Sequence, residues 1–111
     1  MQRKYDENNI FNKIIKNEIP ADKVYEDEKC LAFYDINPKA PVHILLIPKK
    51  NAVSFNDFAK DSTATEIGEF FKTAQKIAES QNLKSYRIVA NCGEEAGQVV
   101  FHFHLHILGY K

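Results

Sequence analysis

Residues 102–108 read His102-Phe103-His104-Leu105-His106-Ile107-Leu108. Three histidines alternate with large apolar residues, and successive side chains of an extended chain point to opposite faces. The alternation predicts a strand over 102–108, with His102, His104 and His106 on one face and Phe103, Leu105 and Ile107 on the other. The apolar face packs on a core, which leaves the histidine face to line a cleft or meet solvent. Imidazoles are poor filling for a core, because each brings a donor and an acceptor that need partners. Three of the chain's 4 histidines on one strand face therefore point to chemistry rather than to a strand that carries them by chance.

Two chemistries suit such a row. Like-facing strand residues two apart lie about 6.5–7 Å apart at Cα, so the outer pair is about 13 Å apart. A zinc ion at roughly 2.0–2.1 Å from each nitrogen could bridge neighbours but hardly all three. A metal would need a distant ligand such as His43, Asp35 or Cys92, and no CxxC pair is present to close the site. Alternatively, a neutral imidazole held in one tautomer can attack an electrophile, with its neighbours supplying protons. The spacing favours the nucleophile over the metal.

The chain has 111 residues, enough for one domain with a single core and no disulfide staples. Its 15 basic and 15 acidic residues balance, which argues against nucleic acid as the principal partner while leaving a small nucleotide open. Two cysteines, Cys30 and Cys92, lack redox-motif spacing and read as reduced thiols of a cytoplasmic protein. No signal-peptide core follows Met1. The aliphatic run 44–47 is far too short to span a bilayer, so no membrane role is expected.

Working outward from the histidine strand, 92–98 is a two-glycine loop that could bring backbone N–H groups to an anion. Residues 86–91 form the strand before it. Further back, Thr63-Ala64-Thr65-Glu66 is a capping box. It opens a helix over 64–81, with Ile67, Phe70, Phe71, Ala74, Ile77 and Ala78 at helical spacing and Asn82 as a left-handed cap. Residues 42–48 are nearly all apolar and read as a central strand. His43 opens that strand, and Lys49 and Lys50 after it could attract an anion. The Pro-rich turn 35–41 follows two short strands, 24–28 and 30–35. Asn9 caps a short helix from Ile10 that Pro20 stops. Residues 1–8 read as a flexible polar lead-in to a single domain over 9–111. The order predicts an α+β domain: a five-stranded, mainly antiparallel sheet with one long and one short helix.

The last strand, with Gly97-Gln98 before it, resembles the signature of the histidine triad family. The segments 10–20, 31–38, 43–50 and 89–93 are similar to its histidine triad nucleotide-binding branch, in the same order. The resemblance implies a homodimer whose two sheets join into one. It implies purine nucleoside 5′-monophosphates or phosphoramidates as ligands, and hydrolysis of adenosine 5′-phosphoramidates with no cofactor required. It implies His104 as the nucleophile, forming a covalent histidine–AMP intermediate. His106 would stand near the leaving group, and His102 and His43 would orient the site. Asp35 would accept the ribose hydroxyls. Asn91 and the backbone at Gly97, with Gln98 and Val99 beside them, would hold the phosphate. Ile10, Phe11, Ile14, Ile19, Phe33, Ile36 and Leu45 would wall the base pocket. The alternatives are a nucleotide-binding or scaffolding protein with weak catalysis, and a dinucleoside polyphosphate hydrolase. Two features depart from the branch: Val99 stands where Ser or Thr is usual, and the chain stops soon after the triad.

Overall fold

The computed structural model describes residues 3–111. Strand β1 (Lys23–Glu26) pairs with β2 (Cys30–Tyr34), β2 with β3 (Val42–Pro48), β3 with β5 (Leu105–Tyr110), and β5 with β4 (Ser85–Val89). Every pairing is antiparallel, giving one sheet in the order β1-β2-β3-β5-β4. Strand β3 is central and buried at every residue, in keeping with its nearly continuous apolar run.

Alternation along each strand sorts the side chains. Cys30, Ala32, Ile44, Leu46, Phe103, Leu105 and Ile107 face one way, onto helix α3 (Ala64–Ser80) and helix α2 (Phe55–Asp61). Leu31, Phe33, Leu45 and Ile47 face the other way, onto helix α1 (Ile10–Ile15). The active-site candidates lie on this second face.

The expected caps are present. The Asn9 side chain accepts from the Asn12 N–H at 3.0 Å. Thr63 and Glu66 exchange the reciprocal bonds of a capping box. Asn82 takes a left-handed φ of 56° just after α3. Helix α1 ends earlier than Pro20. Asn17 turns left-handed (φ 61°) and the Glu18 N–H closes back on the Lys13 carbonyl at 2.9 Å.

Three expectations change. The first hairpin has shorter strands and a longer turn than 24–28 and 30–35 suggest, because the Asp27 carboxylate accepts from the N–H groups of Lys29 and Cys30 and ends β1 at Glu26. Helix α2 is an additional short helix, started by Ser54, whose N–H and hydroxyl both donate to Asp57. The third concerns 102–108: only residues from Leu105 onward are in the sheet. Strand β4 ends at Val89, opposite His106, and β3 contributes pairing only as far as Leu46 with Leu105. Residues 99–104 have no ladder partner on either side. They are held by single bonds such as Phe103 N–H to the Ala52 carbonyl at 2.7 Å. No helix among the described residues is long and apolar enough to cross a membrane.

Phe103 shows how closely core and site are joined. It lies between two histidines in sequence, yet its ring stacks on Phe58 at 4.8 Å and meets Phe70 at 5.6 Å. Phe103→Ala is expected to lower unfolding free energy by about 3–5 kcal/mol, the usual cost of emptying a buried aromatic site. Chemical denaturation measures it, and a loss below about 1 kcal/mol would refute this placement.

Candidate active site

The second face of the sheet opens into a cavity of about 800 Å³. Its apolar wall is built by Ile10, Phe11, Ile14, Ile19, Phe33, Ile36 and Leu45, and its polar end by Asp35, His43, Asn91, Gly97, Val99, His104 and His106. These residues come from α1, β2, β3 and β5 and the loops after α1, β2 and β4, so the fold gathers what the sequence scatters. Two expected members do not line it: His102 and Gln98.

The histidine bonds define which nitrogen carries each hydrogen. The backbone N–H of Lys39 donates to His43 Nδ1 at 3.0 Å, so that nitrogen must be bare. The His43 hydrogen is then on Nε2, 2.9 Å from His106 Nδ1 and 3.5 Å from the Asp35 carboxylate. His106 Nδ1 accepts, which leaves the His106 hydrogen on Nε2. His104 follows the opposite rule. Its Nδ1 lies 2.7 Å from the carbonyl of His102, an acceptor only, so Nδ1 carries the hydrogen. The lone pair of His104 is therefore on Nε2. One backbone donor and one backbone acceptor thus set three tautomers.

His102 takes a different place from the one its alternation suggests. It is 0% exposed, with Nε2 donating to the Pro48 carbonyl and Nδ1 bonded to the Tyr5 hydroxyl, each at 2.7 Å. Its ring is a buried anchor. Only its carbonyl reaches another histidine of the row, at His104 Nδ1.

Burial keeps all four rings neutral. It pushes His102 and His106 each down to about 4, with neighbouring histidines adding to the effect. Burial likewise lowers His104 and His43, against the opposing pull of the His102 carbonyl on His104 and of Asp35 on both.

Asp35 divides its oxygens. Oδ1 accepts from the Asn37 N–H at 2.8 Å and shapes the turn, and Oδ2 faces His43. Gly97 has φ 98°, which disfavours a side chain, and its N–H donates to the Glu94 carbonyl at 3.0 Å. It offers close backbone approach to a ligand rather than a free donor. Gln98 is buried and points into the protein. It accepts from the Gly93 N–H and donates to the carbonyls of Val53 and Val100. It braces the loop and does not touch the cavity. Val99 is 83% exposed at the rim.

Lys49 and Lys50 face elsewhere, bonded to Glu26 and to Glu66 with its neighbours. The cations that line the cavity are Lys39 and Arg87, which no motif marks. Alternation along β4 was the available signal for Arg87, since it shares a face with Val89.

Donor atoms of Asp35, His43 and His106 lie within 4.8 Å of one another, a grouping compatible with a metal ion by distance. In the resting site these atoms bond one another, and the Lys39 N–H holds the His43 hydrogen on Nε2, so a metal there would have to displace it.

The sequence profile described as HIT domain matches residues 16–111. The chain belongs to the HIT domain family. A HIT-like protein of Rickettsia prowazekii is 45% identical over 109 residues, covering 96% of this chain and 91% of that protein. A solved HIT family hydrolase from Clostridium thermocellum has TM-score 0.87 and 44% identity, covering 96% of this chain and 93% of that one. A HIT family hydrolase from Legionella pneumophila has TM-score 0.87 and 42% identity, with 94% of each chain covered. This HIT domain therefore aligns with its relatives along nearly its whole length.

The depressed histidines make stability pH-dependent. The unfolded chain takes up these protons below about pH 6.5. The folded chain does not bind them at His102 and His106 until about pH 4. Their full contribution is thus present above pH 6.5 and is lost as pH falls toward 4. Denaturation at pH 7.5, 6 and 5 should show unfolding free energy declining, at up to about 1.4 kcal/mol per pH unit for each such histidine. A flat profile over this window would contradict the neutral, buried assignment.

Proposed function

We propose that this protein is a purine nucleotide-binding hydrolase of the histidine triad nucleotide-binding branch. It cleaves the P–N bond of adenosine 5′-phosphoramidates through a covalent histidine–AMP intermediate. The observation that carries the reading is the bare Nε2 of His104 in the cavity, with Nδ1–H tied to the His102 carbonyl.

The apolar wall of Phe11, Ile14, Phe33 and Leu45 suits a purine face. Asp35 suits the vicinal diol of a ribose, offering two oxygens to two donors. Asn91, Lys39 and Arg87 suit an anionic phosphate at the polar end. In the first step the Nε2 lone pair of His104 attacks the α-phosphorus, the P–N bond breaks, and the amine leaves with the bonding pair and a proton. His106 presents Nε2–H toward the leaving atom. An adjacent phosphoryl anion favours its protonated form; Nδ1 then also carries a hydrogen, so the His43 Nε2–H turns from His106 to the Asp35 carboxylate, 3.5 Å away in the empty site. In the second step water attacks phosphorus, its proton returns by way of His106, and the P–Nε2 bond breaks to release AMP. Substrate and water become AMP and amine, and the four histidines end as they began. No metal has a part in this reading.

The same reading includes a homodimer in a cytoplasmic setting. β4 is an edge strand with Tyr86 and Ile88 about two-fifths exposed, and Phe71 on α3 is exposed as well. An apolar open edge of this kind is a liability unless covered, and a second copy of β4 would cover it. Sedimentation should give a dimer, and Ile88→Asp should shift it to monomer. A monomeric parent protein would overturn that part.

The test of activity is hydrolysis of adenosine 5′-phosphoramidate by the purified protein, with and without excess chelator, beside His104→Ala. Turnover that survives chelator and falls at least about 10³-fold in the variant is expected. Tight AMP binding without turnover would instead favour the binding-protein alternative. Val99 is the residue that keeps that alternative open, since a hydroxyl there would add a hydrogen bond to the phosphoryl group. Val99→Ser should raise turnover, by up to about 10²-fold, and an unchanged rate would remove Val99 as the reason for slow chemistry.

A further inference from the structure

The segment leading into α1 is not a free lead-in. Within 3–9, Arg3 lies over the Phe101 ring at 3.7 Å, and the Glu7 carbonyl accepts from buried Asn12 at 2.9 Å. Asn9 caps α1. Between these points the Tyr5 hydroxyl reaches His102 Nδ1 at 2.7 Å, with the two rings edge to face at 5.6 Å.

The direction of that bond is forced. The Pro48 carbonyl can only accept, so His102 Nε2 carries the hydrogen and Nδ1 has only a lone pair to offer. Tyr5 must donate. In a ring with no exposure to water, Nδ1 would otherwise be unsatisfied, a costly state for a buried acceptor. Both nitrogens of His102 are thus clamped, one by β3 and one by the N-terminal segment. The clamp acts on the residue whose carbonyl holds His104 Nδ1–H. That carbonyl lies in the stretch 99–104, which the sheet ladder does not fix, so His102's position rests on its side chain and on isolated bonds.

We propose that Tyr5 is a positioning residue for His104: by anchoring the His102 ring, its hydroxyl holds the backbone carbonyl that keeps the His104 hydrogen on Nδ1 and the lone pair on Nε2. Tyr5 touches no reacting atom. The inference rests on the reading of His104 as nucleophile, and part of its test needs no turnover.

That part is imidazole ¹⁵N NMR of the resting protein. The parent should show His104 Nδ1 protonated and Nε2 bare. In Tyr5→Phe, which keeps the ring and removes only the hydroxyl, both His104 nitrogens should move toward the average of the two tautomers, with the thermal unfolding curve confirming a folded protein. On the phosphoramidate substrate, Tyr5→Phe should lower kcat about tenfold, equivalent to about 1.4 kcal/mol, and leave KM within about twofold.

His102→Gln, which keeps a donor near Pro48 and leaves nothing at the Nδ1 position, should lower kcat as well. Adding Tyr5→Phe to it should do no further harm, because the two act through one bond. His104 shifts unchanged in Tyr5→Phe overturn the proposal whatever the rate, and so does an additive double variant. If the parent protein turns nothing over, the hydrolase reading fails while the NMR comparison still decides the role of Tyr5.

Discussion

One hydrogen bond organises the site: His104 Nδ1–H to the carbonyl of His102, two residues earlier in the same chain. It exists because the strand begins late. A continuous strand over 102–108 with a neighbour on that side would commit the His102 carbonyl to the ladder. Strand β4 stops at Val89, opposite His106, and the carbonyl stays available to a side chain. His104, the nucleophile of the proposed reaction, sits at the seam between sheet and loop. Its partner His106 sits just inside the sheet, held between Leu45 of β3 and Val89 of β4.

The other backbone contact, Lys39 N–H to His43 Nδ1, works in the opposite sense. It strips hydrogen from one nitrogen where the His102 carbonyl retains it on another. The result is one imidazole with a lone pair facing the cavity and another, two residues on, with a hydrogen available there. Burial then keeps these states neutral by lowering every histidine below its ordinary pKa. The core shares the work: Phe103, Leu105 and Ile107 lock into the opposite face and give the histidine row its rigidity.

Much of this was legible in the sequence, because alternation and capping are local signals. The period of two separates His104 and His106 from Phe103, Leu105 and Ile107 but misplaces His102, whose ring is buried, and the Thr63–Glu66 box, Asn9 and Asn82 mark helix ends at their own positions. Resemblance drew the cavity's lining from distant segments, and the fold brings those residues together. What escaped was whatever depends on a partner distant in sequence. Periodicity says which face a residue takes, but not whether a neighbouring strand is there to bond it, so the late start of β5 was hidden. Gln98 looked like a ligand because it adjoins Gly97, yet its amide turns inward to three backbone groups. Tyr5 sits among charged residues, and only the fold brings it to His102. Helix α2 had a Ser54–Asp57 signal, but it is short and polar enough to pass for loop.

The central claim is that the backbone selects which nitrogen of which histidine reacts. The most direct measurement is to stop the reaction with alkali during turnover of an adenosine 5′-phosphoramidate and locate the AMP on the protein by mass spectrometry and ³¹P–¹⁵N correlation. The account predicts a single adduct on Nε2 of His104. AMP on Nδ1 of that ring, or on His106, would contradict it.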